Sequence, residues 1–584
     1  MKNKPYFFII SLLLNAVCSV PYFAYGNTID DYSLHPRAPN NSRVEKARQI
    51  FERVRDVANK HPKFPNPQLV VLKSLKNGSK QWAVALEDGH ILLWTRAIDA
   101  SYQAKSQNEE IEAEARLAFI LGHELGHLAS DDYGFLKRSR KNVTQKRRKR
   151  ELAADKKGYA YAALSGYRVN FLLKKTSNNN YFLEQWLKRP REIYPPVEIS
   201  VSAFQNYLHK LEYKLSLFEF GVRLSHFERC DDGVYFLQEF EKVFPAREVF
   251  NNQGFCYLQL ARQEMDSEHA NFYWMPQILD AETLAARIVM GMEPVKTLKQ
   301  AARRLSNETK DLLEKAEEFL KQAIEADLDY FPARLNLAIT YLYLGQPYNA
   351  RFLIDQAYRL APDNLEIQGL RTIIFYEQSG NGLDIWSSAI EPLKKRAAKL
   401  NAPPSLLYNL ARLLDIRASR TFSDDAKRYW NRLARMADTL PKPIRAFVCR
   451  QPNTVCDTKL IQHQPPPWQK NWPIPFKWQK ISEQEAVMNR LSDWEEPIPI
   501  DLSEKLRGHI YQRPNGGVEI LELEEFMQMQ VLKGDNLGTV HKLSSYCGQP
   551  LRQRTLARGV LWSCGDWAAL ALDGKVREVW RVLR

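Results

Sequence analysis

At 584 residues the chain is too long for one hydrophobic core, which excludes a single compact domain and predicts roughly three to five units. A formal net charge of +15 implies attraction to anionic surfaces or an acidic partner. It does not imply nucleic acid, because no recognition motif is visible and the expected compartment argues against such a partner.

The N-terminus, MKNKPYFFIISLLLNAVCSVPYFAYGNT, sets Lys2 and Lys4 before an apolar run from Tyr6 to about Val20, followed by Ala24 and Gly26. This pattern predicts a cleaved secretory signal over residues 1–26, and the run falls short of the ~20 residues that a membrane span needs. Asn15, Ala16 and Val17 argue against lipid attachment at Cys18. The mature protein is expected to be exported to the periplasm, where it could associate with the outer membrane.

The segment IEAEARLAFILGHELGHLA carries apolar residues at Ile111, Ala115, Ala118, Phe119, Leu121 and Leu125 without proline, which is helical periodicity. Residues four apart lie one turn above each other, so His123 and His127 can aim ring nitrogens at one metal ion. Glu124 points to a neighbouring azimuth, where it can reach a reacting water rather than the metal. Gly126 lets another element pack closely. Downstream, ELAADKKGYAYAALSGY is again helical in pattern, with Glu151 and Asp155 on one face. Glu151 can complete a two-histidine, one-carboxylate shell for one zinc ion. Asp155 is placed to accept a hydrogen bond from the outer nitrogen of a ligating histidine.

Between these helices, GFLKRSRKNVTQKRRKRE is almost unrelieved positive charge from Lys137 to Arg150. It predicts a mobile basic loop at the site rim, suited to an anionic membrane surface or an acidic substrate.

From about Asp30 to Lys210 the chain resembles the M48 family of zinc metallopeptidases. The resemblance rests on HELGH at 123–127, ELAADKKG at 151–158 and the hairpin WAVALEDGHILLW at 82–94. It implies an α+β zincin-like fold, zinc ligation by His123, His127 and Glu151, and Glu124 as general base. It also implies that the hairpin, turning at Gly89, sets Ala83 and Ala85 along an edge where an extended peptide can add as a further strand. The chain departs from the family where a His-Pro pair and an arginine are usual: Tyr194-Pro195 and Ser200 stand there. Tyr194 can donate to a developing oxyanion, or it can be an ordinary packed tyrosine.

Residues 213–445 are rich in helical pattern. Leu337, Ala338, Tyr341, Ala350, Ile354, Ala357 and Pro362 fall at tetratricopeptide spacing, and Ala316, Leu320, Ala323 and Leu328 correspond one repeat earlier. Weaker copies surround Gly221, Gly233, Leu237, Phe240 and Pro245, then FNNQGFCYLQLA, then LLYNLARLL with Ala426 and Trp430. The stretch from about 264 to 310 is expected as an insertion between two helices of one repeat. Such an array forms a solenoid with a concave surface for an envelope-protein partner.

Helical order is expected to stop after Pro441, giving a Pro/Trp-rich linker over 446–480 and a β-rich module of small α+β type over 481–584. A turn at Asp573-Gly574 should join its last two strands. Apart from Cys18, the cysteines fall into close pairs, Cys230 with Cys256, Cys449 with Cys456 and Cys547 with Cys564. Three disulfides and an oxidising compartment are expected. The whole reads as an exported zinc metalloendopeptidase acting on protein or peptide substrates in envelope quality control. The competing reading is a non-enzymatic assembly or chaperone scaffold that keeps the peptidase fold for binding.

Overall fold

The computed structural model describes residues 28–74, 81–102, 109–132, 143–167, 169–173, 182–187, 197–265, 273–281, 306–379, 389–399, 402–417, 424–437, 440, 442–451 and 454–456. In the C-terminal module it describes 498–503, 506–512, 518–523, 527–533, 537, 543–547, 552–556, 559–564, 567–572 and 575–583. The expected signal segment, Tyr194 and the basic stretch through residue 142 lie outside the described residues. The chain is mostly helical, with one small mixed sheet near its start and a separate sheet module at its end.

Helix α1 (Ser42–Val57) begins where Asn41 Oδ1 accepts the Val44 N–H at 2.9 Å, and it buries Val44, Ala47, Ile50, Phe51 and Val54. Strands β1 (Gln68–Leu72), β2 (Ala83–Ala85) and β3 (His90–Trp94) form a sheet ordered β1-β3-β2, with β1 parallel and β2 antiparallel to β3. The β2–β3 turn closes with Leu86 N–H donated to His90 O at 2.7 Å, and Gly89 takes φ +89°, a left-handed conformation natural to glycine. Helix α2 (Thr95–Ser101) follows, and α3 (Glu109–Ala129) packs against α1, α2, β2 and α4 (Val143–Leu164). A short α5 (Phe182–Leu187) contributes Trp186 to the interior.

In two places the fold departs from the sequence pattern. Val143–Arg150, read as part of a mobile loop, forms the first turns of α4. Lysine and arginine are good helix formers, and Arg150 is tied by an ion pair to Asp132, which offsets part of the mutual repulsion. The boundary placed between 210 and 213 also falls inside α6 (Val197–His226), a continuous helix of 30 residues. Its C-terminal half buries Leu217, Phe218, Phe220, Val222 and Leu224, so several faces are covered at once.

The helices that follow pack pairwise: α6 with α7 (Cys230–Glu241), α8 (Arg247–Gln263) with α9 (Asn307–Ala326), α10 (Phe331–Tyr343) with α11 (Pro347–Leu360), and α12 (Leu365–Ser379) with its neighbour α11. After α13 (Glu391–Ala397), α14 (Pro404–Arg417) packs with α15 (Asp424–Arg435). The expected contact residues Ala316, Leu320, Ala323, Leu337, Ala338, Tyr341, Ala350, Ile354, Ala357, Ala426 and Trp430 are buried, whereas Leu328 is 43% exposed. Helical order continues past Pro441 in α16 (Lys442–Val448).

Strands β4 (Ile498–Ser503), β5 (Leu506–Gln512), β6 (Val518–Leu523), β7 (Met527–Lys533), β8 (Arg552–Leu556), β9 (Gly559–Cys564), β10 (Trp567–Leu572) and β11 (Lys575–Leu583) form one antiparallel sheet. Its order is β4-β5-β6-β7-β11-β10-β9-β8, with α17 (Leu543–Cys547) between β7 and β8 in the chain. Pairing of Leu572 with Lys575 brackets the expected turn at 573–574, which itself lies outside the described residues. The sheet is not detached, since Trp580 packs edge-on against His226 of α6 at 5.7 Å between ring centroids.

Cys449–Cys456 and Cys547–Cys564 are disulfides, which fits a chain that folds outside the reducing cytosol. The expected third bridge is absent: Cys230 and Cys256 are free and buried. Cys256 Sγ instead meets Ser225 Oγ at 3.0 Å, and burial together with the neighbouring Cys256 pushes the Cys230 thiol well up, away from the reactive thiolate. Among the described residues, no helix is long and apolar enough to cross a membrane.

Candidate metal centre

The site forms where α3 and α4 approach more closely than side chains normally allow. A Cβ at Gly122 would lie 2.9 Å from Gly158 O, and one at Gly158 would lie 2.8 Å from the His123 backbone nitrogen. Gly126 likewise faces Ala154 and Lys157, with Lys157 Cβ 3.1 Å from where its own Cβ would be. Three glycines therefore let two backbones meet, and the meeting brings Glu151 of one helix beside the histidines of the other.

His123, His127 and Glu151 each turn one ligand atom to a common point, all within 4.8 Å of one another. His123 Nε2 and His127 Nε2 are 3.0 Å apart, and Glu151 Oε2 is 3.5 and 3.7 Å from them. The outer nitrogens explain this orientation. His123 Nδ1 contacts Asp155 Oδ1 at 2.8 Å and His127 Nδ1 contacts Asp132 Oδ2 at 2.7 Å. An ionised carboxylate only accepts, so both Nδ1 atoms donate and both Nε2 atoms present lone pairs. Two imidazole lone pairs and a carboxylate oxygen converging in a buried pocket repel one another unless a cation or protons lie between them. The donor set thus fits a metal ion of the kind held by imidazole and carboxylate.

Burial opposes charge on Glu151, yet His127 and His123 overcome it and hold the carboxyl well below its usual range. Burial likewise lowers both imidazoles, but the hydrogen bonds of Asp155 and Glu151 to His123, and the charge of Glu151 on His127, raise them above the ordinary histidine value.

Glu124, 3% exposed, stands next to His123 in the chain without joining this group, and its Oε2 accepts the Ala85 N–H at 2.8 Å. Within β2 the flanking residues bond to β3, since Trp94 N–H reaches Trp82 O at 2.9 Å and Leu86 N–H reaches His90 O at 2.7 Å. Alternation then directs the main-chain groups of Ala83 and Ala85 to the edge that no strand covers among the described residues.

Two residues escaped the sequence reading. Asp132 holds His127 and is itself paired with Arg150; its only signal was an acid five residues after the second histidine. Trp186 of α5 donates its indole N–H to Asp155 Oδ1 at 3.0 Å and stands edge-on to His123 at 5.0 Å. Nothing in its local sequence pointed there. Tyr194 lies outside the described residues.

The protein is thus mostly helical and carries a two-histidine, one-carboxylate group able to hold a metal ion. No protein-family profile matches the chain, and no curated protein matches it either. Among solved structures it is similar to human IFIT1, solved as a dimer with PPP-AAAA, at 14% identity and a TM-score of 0.22, covering 56% of this chain and 73% of that one.

Proposed function

We propose that the chain is an exported, zinc-dependent metalloendopeptidase of the M48 type, with a zincin-like catalytic unit, tetratricopeptide-like repeats and a C-terminal sheet module, acting on envelope proteins. The observation that carries the reading is the convergence of His123, His127 and Glu151 beside a buried Glu124 that is hydrogen-bonded to the edge strand. His123, His127 and Glu151 would hold the metal, with Asp155 and Asp132 fixing the rings. When bound, zinc in such a site supplies Lewis-acid activation of water and of a carbonyl.

The protein's own groups do the rest. A substrate strand pairs along the β2 edge at Ala83, beside the Ala85 N–H that holds Glu124, which aligns its main chain with the site. Glu124 takes a proton from the attacking water and hands it to the leaving amine nitrogen. The Ala85 N–H orients that carboxylate and ties it to the strand that receives substrate.

The test is zinc content and cleavage of an unfolded protein by the purified chain beside Glu124→Gln. The variant should keep the metal and lose cleavage. Cleavage by Glu124→Gln at the wild-type rate would reject the role of Glu124, and metal binding without cleavage by either chain would assign the site to a binding scaffold.

A further inference from the structure

Segment 273–281, within the insertion between α8 and α9, is held against the helical pairs by a set of hydrogen bonds that read main chain. Asn252 of α8 accepts the Asp280 N–H at 2.7 Å and donates to the Asp280 carbonyl at 2.7 Å. Asn336 of α10 accepts the Ile278 N–H at 2.8 Å and donates to the Ile278 carbonyl at 2.7 Å. Asn409 of α14 does the same for Trp274, at 2.6 and 2.7 Å. Each carboxamide thus grips both polar groups of one peptide residue.

The spacing has a simple origin. Alternate residues of an extended chain turn their main-chain groups to the same side, as Ile278 and Asp280 do. Between Trp274 and Ile278 the chain makes a tight turn, Gln277 N–H donating to Met275 O at 3.1 Å, and Pro276 has no N–H to offer. On the helices the three asparagines are equivalent as well, each two residues before a small residue, Gly254, Ala338 or Ala411. One position repeated along the array has become a row of amides. Side-chain contacts add to it: Tyr273 donates to Glu377 at 3.1 Å, Tyr330 donates to Asp280, and Tyr273, Met275 and Ile278 join the apolar cluster of α8 to α12.

Helices α8 and α9 also meet directly: Gly254 of α8 sits against Leu320 and Ala316 of α9, and Tyr257 stacks on Phe319 with ring centroids 5.5 Å apart. Segment 273–281 lies alongside this pair and reaches α10 and α14 through its main chain.

We infer that the asparagine row is a binding groove for the main chain of an extended polypeptide, filled here by the protein's own segment 273–281, and that a partner polypeptide enters by displacing that segment. The ligand is an extended protein segment with large apolar side chains, recognised chiefly through its backbone. This inference does not depend on hydrolysis at the metal centre, because its test reads binding.

The experiment uses the full chain with 273–281 replaced by a Gly-Ser linker of equal length, and a fluorescent synthetic peptide of sequence YWMPQILDA as the probe. The replaced chain should bind the peptide, and the unaltered chain should bind it at least about tenfold more weakly, the groove being occupied. Asn252→Ala, Asn336→Ala and Asn409→Ala, each introduced in the replaced chain, should each cost about tenfold in affinity through loss of two neutral hydrogen bonds. A replaced chain with intact helical signal that fails to bind, or that binds equally well without the asparagines, would overturn the inference. Native-state hydrogen exchange of the unaltered chain is an independent check. The amides of Trp274, Ile278 and Asp280 should exchange through an opening smaller than global unfolding. Exchange at the same rate and denaturant dependence as the amides around Leu337 and Ala338 would make the segment permanent core and reject displacement.

Discussion

Arg223 of α6 and Glu578 of β11 stand 355 residues apart in the chain and meet in a fully buried ion pair, Nη2 to Oε1 at 2.7 Å and Nε to Oε1 at 3.1 Å. Glu219 also bonds Arg223 at 3.0 Å, while Lys533 reaches Glu519 at 2.9 Å and Glu219 at 3.5 Å. This network fastens the C-terminal sheet to α6, the long helix that follows the unit carrying His123, His127 and Glu151. Removing one partner strands the other charge in the interior, so Glu578→Leu and Arg223→Met should each destabilise the protein by about 3–5 kcal/mol. The double replacement should cost less than the sum, as read by urea denaturation in a double-mutant cycle. For the same reason a fragment ending at residue 210, inside α6, is expected to lack a cooperative melting transition.

The orientation of the imidazoles should govern metal affinity separately from the ligands themselves. Asp155→Asn and Asp132→Asn are each expected to weaken zinc binding by about 10–100-fold, whereas His127→Ala removes it. Competition against a chelator of known affinity measures this. Unchanged affinity in both asparagine variants would show that the carboxylates do not set the rings.

The close approach of α3 and α4 predicts a sharp response at Gly158. Its substitution by alanine drives a Cβ to 2.8 Å from the backbone nitrogen of His123, so the helices must separate where the ligands converge. Gly158→Ala should destabilise the fold by about 1–3 kcal/mol and lower the bound-metal stoichiometry, checked by thermal melting and metal analysis of the same preparation.

Glu248 gives the stability a pH dependence away from the histidine–glutamate group. Burial, opposed by neighbouring Arg247 and reinforced by Asp280, raises its carboxyl from 4.5 to about 7. Between those values the folded chain holds the proton that the unfolded chain has released. Stability from this group is therefore complete at low pH, falls as pH rises from about 4.5 through about 7, and is flat above. The loss is on the order of 3 kcal/mol, and Glu248→Gln should abolish it. Urea midpoints of the two proteins compared near pH 5 and near pH 8 decide the matter.

Thiol accessibility tests the cysteine arrangement. Non-reducing peptide mapping should recover Cys449 linked to Cys456 and Cys547 linked to Cys564, while Cys230 and Cys256 should resist alkylation until the chain is unfolded. Reducing the two bridges should cost about 2–4 kcal/mol each. A Cys230–Cys256 bridge in the native protein would reject the buried free pair.

That His123 and His127 lie on one helical face with Glu124 beside them, and that Glu151 and Asp155 share a face of a second helix, follows from residue spacing alone. Residues separated by one helical turn carry their geometry with them wherever the helix goes. The hairpin around Gly89, the pairing at Cys449–Cys456 and the buried small residues of the helical array were legible for the same local reason. What covers each face depends instead on elements packed in from elsewhere in the chain. The contact of Gly158 with His123, the hold of Trp186 on Asp155 and of Asp132 on His127, and the burial of Arg223 against Glu578 all join elements that approach from elsewhere in the chain. Three asparagines gripping segment 273–281 belong with them, since side chains on three helices bond a strand that local periodicity assigns only to an insertion. Periodicity records the face on which a residue lies, whereas burial, hydrogen bonding and charge pairing depend on which other element is packed against that face.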